Sequence, residues 1–339
     1  MLNFCTLFNT NYLAKGLALH QSLVDTCPAF HLYIFAFDDN CYQILTNKDL
    51  PNATIIPLSD FENADLQHVK KNRSIAEYCW TCTPFTIKHC IDQYQLDSCT
   101  YIDADIYFYN DPSVLFKEMG NASVLITPHN YHPLYDQSAV AGIYCVQFIT
   151  FKNTNDGMKV LNWWAQACLT WCYQRYEDGK MGDQKYLDSW PYIFNGVHIC
   201  RNIGAGLAPW NLLNYHLSDS GKQLMVNDTP LIFYHFHDLQ YLSNNTWYIG
   251  GYEVPEVSLT ALYQPYIKTL LNIDNEIKKQ HPVIDSLNTK VVNGINVLST
   301  KYKLGIYILD LKASFKQFIS ALFFSGRRKH YKTNYIRIK

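Results

Sequence analysis

The sequence predicts an α/β fold, a mostly parallel sheet with helices on both faces, and three observations carry that expectation. Strand-like and helix-like segments alternate through the first hundred residues. A pair of carboxylates, Asp103 and Asp105, follows directly on an apolar strand. The composition, 48% hydrophobic and 15% aromatic over 339 residues, supplies a sizeable core and excludes disordered, collagen-like and coiled-coil classes.

In chain order, Asn3–Phe8 is apolar and β-prone, and Tyr12–Val24 carries Leu13, Leu17 and Leu23 at helical spacing. His31–Phe37 is a strand, Asp39–Asn47 a helix, Ala53–Pro57 a strand, Ile75–Tyr94 a long helix and Ser98–Ile102 a strand. Such β-α-β-α-β order gives parallel strands joined by helices, and ligands of these sheets sit at the carboxyl ends of the strands. Further on, Val124–Thr127, Val146–Phe151, Ile193–Ile199 and Leu231–His237 read as strands, and Gly157–Tyr176 and Asp183–Trp190 as helices. From about Ser258 the pattern is helical to the end, which divides the chain into a main domain, 1–257, and a helical, basic extension, 258–339.

Charge is unevenly placed. The 28 Lys+Arg nearly balance 29 Asp+Glu, yet eleven bases and two acids, Asp285 and Asp310, lie from residue 282 onward. In that tail Leu304, Ile308, Leu311, Phe315, Phe318 and Leu322 form a helical stripe flanked by Lys303, Lys312 and Lys316, with Arg327-Arg328-Lys329 following. Two readings stand: an in-plane helix against an anionic membrane surface, or a helix packed on the domain or another subunit. No nucleic-acid partner is expected. No stretch is long and apolar enough to span a bilayer, and the N-terminus lacks the basic region of a signal peptide. Eleven scattered cysteines, including Cys79-x-x-Cys82 and Cys168-x-x-x-Cys172, fit buried free thiols of a reducing compartment. The expected location is cytoplasmic, peripheral on the inner membrane face.

The chemistry concentrates in Tyr101-Ile-Asp-Ala-Asp-Ile-Tyr-Phe-Tyr109. On an extended backbone, carboxylates at i and i+2 share a side and can hold a hard divalent ion, leaving positions for a diphosphate. A haloacid-dehalogenase-type hydrolase would carry such a pair after its first strand, not a hundred residues in. His235 and His237 alternate on a later strand, and a neutral imidazole completes a plausible Mn²⁺ shell. Tyr12 at the end of the first strand offers a face for a base, or simple core packing at a helix start. Arg73, after Lys70 and Lys71, can pair with phosphates or lie on a solvated face. Asp183 suits an N-cap as well as a ligand site.

Four segments together resemble a GT-A glycosyltransferase, nearest to glycosyltransferase family 8, the glycogenin and bacterial galactosyltransferase group. They are Thr10-Asn-Tyr-Leu-Ala-Lys-Gly-Leu-Ala-Leu-His-Gln-Ser-Leu23, Tyr101-Ile-Asp-Ala-Asp105, Gly182-Asp-Gln-Lys-Tyr-Leu-Asp188 and Tyr234-His-Phe-His-Asp238, in the family's order over residues 3 to 240. The resemblance implies a metal-dependent transfer of a sugar from a nucleotide-diphosphate donor, UDP-linked, to a glycan or lipid-linked acceptor. It implies Mn²⁺ or Mg²⁺ on Asp103, Asp105 and His235, and nucleotide contacts from Thr6, Tyr12, Arg73 and Asp103. Asp183 and Gln184 would serve the donor sugar as catalytic residues, and Lys88 and His237 the sugar and diphosphate. The family's Lys-Pro-Trp, which follows its metal His, is missing from that place; Ala208-Pro209-Trp210-Asn211 comes earlier and is expected to wall the acceptor site, with Trp210 as a stacking platform. A nucleotidyltransferase would show a Gly-rich basic loop after the first strand, and Cys5–Tyr12 has none. A catalytically silent sugar-nucleotide-binding or membrane-tethering protein is the reading from another class.

Overall fold

A computed structural model describes residues 1–221, 223–243, 245–290 and 335–337. The chain begins β1 (Leu2–Phe8), α1 (Leu13–Thr26), β2 (Phe30–Ala36), α2 (Asp39–Thr46) and β3 (Ala53–Pro57). Short helices α3 (Leu58–Phe61) and α4 (Ala64–Lys70) lead to α5 (Ile75–Tyr94), then β4 (Ser98–Ile102) and β5 (Ile106–Phe108). Next come α6 (Ser113–Met119), β6 (Val124–Pro128), α7 (Ser138–Ala141), β7 (Tyr144–Lys152), α8 (Asn155–Thr170), α9 (Trp190–Ile193) and β8 (Val197–Ile199). Short strands β9 (Leu217–Asp219), β10 (Leu224–Val226), β11 (Thr229–Pro230), β12 (Phe233–His235), β13 (Leu239–Ser243) and β14 (Thr246–Ile249) follow. The described chain closes with α10 (Glu256–Ser258), α11 (Gln264–Gln280) and β15 (Tyr335–Arg337).

Seven strands form the central sheet in the order β3-β2-β1-β4-β7-β6-β8. Only β7 runs against the others, pairing antiparallel with both β4 and β6. Because β1 and β4 are parallel neighbours, their carboxyl ends open at the same edge, and the first turn of α1 and the Asp103–Asp105 turn meet there. The sheet buries both faces. Phe4, Phe8, Leu13, Leu17 and Phe148 pack on the α1 side, and Cys5, Leu7, Ile87, Ile149 and Trp164 on the α5–α8 side. That two-sided burial explains why β7, Tyr-Cys-Val-Gln-Phe-Ile-Thr-Phe-Lys, is buried at every position but the last and does not alternate.

Local signals set the helix ends. Ser74 accepts from the Glu77 backbone N–H while Glu77 reaches back to the Ser74 N–H, a reciprocal cap that starts α5. Asp38 caps α2 through the Cys41 N–H and also takes the N–H and hydroxyl of Thr10, which fixes the turn that presents Tyr12. α11 packs against α1, and the Ser286 hydroxyl donates to the buried Asp274 of α11.

Four expectations need correction. Helix α8 ends at Thr170, not Tyr176, because Trp171 turns to an extended backbone. Asp183–Trp190 is not one helix: Gly182 sits at φ +55°, Lys185–Ser189 is a tight 3₁₀ segment, and Pro191 opens α9. Ile193 closes α9 and the strand begins at Val197. The chain is not helical to its end, since Tyr335–Arg337 pairs antiparallel with β14. The apolar stripe Leu304–Leu322 and the basic run Arg327–Lys329 lie outside the described residues.

Candidate metal and nucleotide site

Asp103 and Asp105 lie in a tight turn, not on an extended strand: β4 stops at Ile102 and the Ile106 N–H donates to the Asp103 carbonyl. The turn, and not strand alternation, is what brings the two carboxylates together. A two-stranded ribbon then delivers the third member. β12 pairs antiparallel with β5, setting His235 opposite Ile106, and the Phe236 N–H donates to the Asp105 carbonyl. Residues about 130 positions apart in sequence are thereby locked side by side. His235 Nε2 stands 3.1 Å from Asp105 Oδ1 and 3.8 Å from Asp103 Oδ2. One potential ligand atom from each of the three lies within 4.8 Å of the others. Two carboxylates and an imidazole are a donor set suited to Mn²⁺ or Mg²⁺, and the residues fit such an ion.

Two side chains with no role expected from the sequence complete this cluster. Gln147, on β7, accepts from His235 Nδ1 at 2.8 Å through its Oε1, and its carbonyl accepts the Asp103 N–H. It therefore aims Nε2 at the carboxylates, the orientation a metal-binding imidazole needs. Its signal in the sequence is an amide within the buried run Cys145–Ile149 of a mostly apolar strand. Lys15, in the first turn of α1, is only 8% exposed. Its Nζ is 3.5 Å from Asp105 Oδ2 and 4.5 Å from the centroid of the Tyr12 ring. Its signal is a lysine embedded between Ala14, Gly16 and Leu17 on a buried helix face.

The electrostatics separate the two carboxylates. Burial alone would raise Asp105, but Lys15 and then His235 outweigh it and hold that carboxyl well below its ordinary range. Asp103, whose side chain is 30% exposed, is pushed up to about 6 by desolvation, opposed by His235 and helped by Asp105. Burial works against the His235 imidazolium, yet the charge of Asp105 raises it overall. Burial likewise opposes the Lys15 ammonium, and the fields of Tyr12 and Asp105 lift it above its usual value.

Other expected residues surround this cluster. Tyr12 keeps 38% of its surface exposed, with Lys15 over its ring. His237 is exposed just beyond β12, its ring 5.7 Å from that of His235. Asp183 is 5% exposed and lies near enough to Asp103 that burial first, and that like charge second, push it up to about 8. Trp164 donates its indole N–H to the Asp183 carbonyl, and Gln184 donates to the Ala141 carbonyl, which together pin the Gly182 turn.

The remaining candidates fall elsewhere. Trp210 is buried, not a platform: its indole donates to the His129 carbonyl and its ring packs edge-on against His129, His235 and His237. Asn211 is equally buried, its amide spent on the carbonyls of His129 and Gly206 and on the Ala208 N–H. These two residues form the wall behind the histidines and give an acceptor no surface. Thr6 is wholly buried and its hydroxyl has no partner among the described residues, so it too presents no surface to a nucleotide. The Arg73 guanidinium donates to the carbonyls of Cys168, Leu169 and Cys172 at the end of α8 and stacks on Tyr173. Lys88 pairs with Asp92 on the outer face of α5. All eleven cysteines are free thiols, ten of them buried.

The architecture is that of the GT-A glycosyltransferases. It matches the crystal structure of the galactosyltransferase LgtC in complex with donor and acceptor sugar analogues, at a TM-score of 0.50 and 10% identity. The match covers 80% of this chain and 96% of that one. By sequence the chain belongs to the family of the uncharacterized protein YfnD of Bacillus subtilis (strain 168). The two are 30% identical over 292 residues, spanning 83% of this chain and 92% of YfnD. YfnF of the same organism, also uncharacterized, is 28% identical over 296 residues, 85% of this chain and 97% of its own. No protein-family model matches the sequence.

Proposed function

We propose that this chain is a divalent-metal-dependent glycosyltransferase that moves a sugar from a UDP-sugar to a glycan or lipid-linked acceptor. One observation carries the reading: on a GT-A fold, Asp103, Asp105 and His235 converge at the carboxyl edge of β4, although the histidine comes from a segment about 130 residues later. When bound there, Mn²⁺ or Mg²⁺ supplies Lewis-acid stabilisation to the diphosphate of the donor. Tyr12 offers its open ring face to the uracil, a step along the same edge. Asp183 and Gln184, held by the Gly182 turn, face the donor sugar, and His237 faces the diphosphate. The order of the four segments favours kinship with glycosyltransferase family 8. Among the described residues no helix is long and apolar enough to cross a membrane. The basic tail supports a place against the inner face of the cytoplasmic membrane, where a lipid-linked acceptor is presented.

Calorimetry with UDP and Mn²⁺, followed by a transfer and hydrolysis screen over a panel of nucleotide sugars, tests the proposal. Asp103→Ala and Asp105→Ala are each expected to abolish turnover; Asp103→Ala should keep its melting behaviour, whereas Asp105→Ala, which strands the buried Lys15 ammonium, should melt lower. Full activity of metal-free Asp105→Ala would remove the mechanism. Binding without turnover of any donor would favour the catalytically silent reading.

A further inference from the structure

The proposed transferase leaves one buried charge without a task. An ammonium kept as dry as that of Lys15 is costly unless paired, because desolvating a charge takes several kcal/mol even after the protein relaxes. Its partner is Asp105, the very carboxylate that a divalent ion would claim. Lys15 also lies between the exposed ring of Tyr12 and the carboxylate cluster, 4.5 Å from the first and 3.5 Å from the second. A nucleotide with its base on Tyr12 and its phosphates at Asp103, Asp105 and His235 must run its diphosphate past that ammonium.

We propose that Lys15 is a diphosphate-binding residue that exchanges partners. Without ligand its ammonium balances Asp105; once a divalent ion takes Asp105, the ammonium turns to the diphosphate oxygens of the donor. This rests on the metal and nucleotide reading above and assigns that site its cationic side chain. In the transfer step the bond between the anomeric carbon and the diphosphate oxygen breaks, and its electron pair stays on that oxygen. The acceptor hydroxyl bonds to the anomeric carbon and releases its proton to solvent. The negative charge left on the departing diphosphate is what Lys15 neutralises, keeping its own proton. Asp238, the other acid whose field reaches Lys15, follows the cluster's histidines in sequence and bonds Gln240, so it does not replace the diphosphate as partner.

The exchange makes two predictions of opposite sign. In full-length Lys15→Met, which keeps the length and removes the charge, Mn²⁺ alone should bind roughly tenfold more tightly, since no ammonium competes for Asp105. UDP in saturating Mn²⁺ should bind about tenfold or more weakly, having lost a charge-assisted contact. Lys15→Arg should recover part of the UDP affinity. Mn²⁺ affinity is read by electron paramagnetic resonance of the free ion and UDP affinity by calorimetry. A purely structural ion pair would weaken both ligands together and lower the melting temperature, and that result overturns the proposal. So does unchanged UDP affinity in a Lys15→Met protein that binds Mn²⁺. If the wild-type chain binds no Mn²⁺, the metal reading itself falls and the exchange falls with it, whereas with a wild type that binds both ligands the variants report on Lys15 alone.

Discussion

Replacing Gln147 with leucine separates metal affinity from folding. The wild-type amide does one thing well and one badly. Its Oε1 accepts from His235 Nδ1 at 2.8 Å, while its Nε2 is buried with no partner among the described residues. Leucine removes the unpaired donor, a gain of about 1–3 kcal/mol, and strands the Nδ1–H of His235, a loss of similar size. Fold stability should therefore move little. Metal affinity should not be spared, because nothing then fixes which imidazole nitrogen faces Asp103 and Asp105. Loss of such an outer partner weakens metal binding about 10–100-fold, or roughly 1.4–2.8 kcal/mol. Gln147→Glu retains an acceptor at the same place and should keep the site. The assay is Mn²⁺ titration followed by electron paramagnetic resonance, with thermal melting of the metal-free proteins alongside. A leucine variant that binds Mn²⁺ within about twofold of wild type, well short of that expected loss, would refute the orienting role of Gln147. A variant that melts far lower would instead show the amide to be a packing element.

Three further outcomes are expected. Asp183 is raised to about 8 by burial and by Asp103, so the folded state holds its proton between roughly pH 4 and 8 where the unfolded chain has lost it. Its contribution to stability is thus full in acid and lost as pH rises through 8, and Asp183→Asn should melt higher than wild type at about pH 9 but not at about pH 5; equal differences at both would remove this assignment. Arg73→Met strips a cation from three carbonyls at the α8 terminus and should cost about 2–4 kcal/mol in denaturant unfolding, and a loss of UDP binding without a loss of stability would return Arg73 to the nucleotide site. Changing Arg327, Arg328 and Lys329 together to glutamine should reduce co-sedimentation with anionic vesicles at low salt by roughly 100-fold, at about 1 kcal/mol per charge; identical partitioning would end the membrane assignment.

What is legible in the sequence divides along a physical line. The spans Ala53–Pro57, Ile75–Tyr94 and Ser98–Ile102 come out as expected because their signals are local: a Ser-x-x-Glu cap, helical spacing, a short β-branched or aromatic run. The Asp103–Asp105 pair is legible as chemistry, although its backbone is a turn and not the extended strand its spacing suggests. Where the outcome depends on distant partners, local reading fails. Trp210 follows a proline in a Gly-rich stretch and looks exposed, but its burial comes from His129, 81 residues away. Arg73 looks like a phosphate ligand until α8, some 95 residues on, brings its carbonyls within reach. Lys15 and Gln147 escape notice for the converse reason. Each is a single polar residue in an apolar run, and only the sheet order shows that both runs end at the same carboxylates.

The site's charge arrangement also explains how a stable fold tolerates two carboxylates in one turn. Like charges this close cannot both stay ionised in a dry setting without compensation. The protein sets the Lys15 ammonium from α1 and the His235 imidazole from β12 against the pair, and both lie closer to Asp105 than to Asp103. Asp105 is consequently the fixed, ionised member and Asp103 the adjustable one, more exposed and holding its proton more readily. A divalent cation brings the same compensation in a single group. With such an ion held by Asp103, Asp105 and His235, Lys15 would no longer be needed to balance Asp105. On the proposed exchange, the ligand-free cluster is balanced with the same charges that a bound cation and diphosphate would redirect.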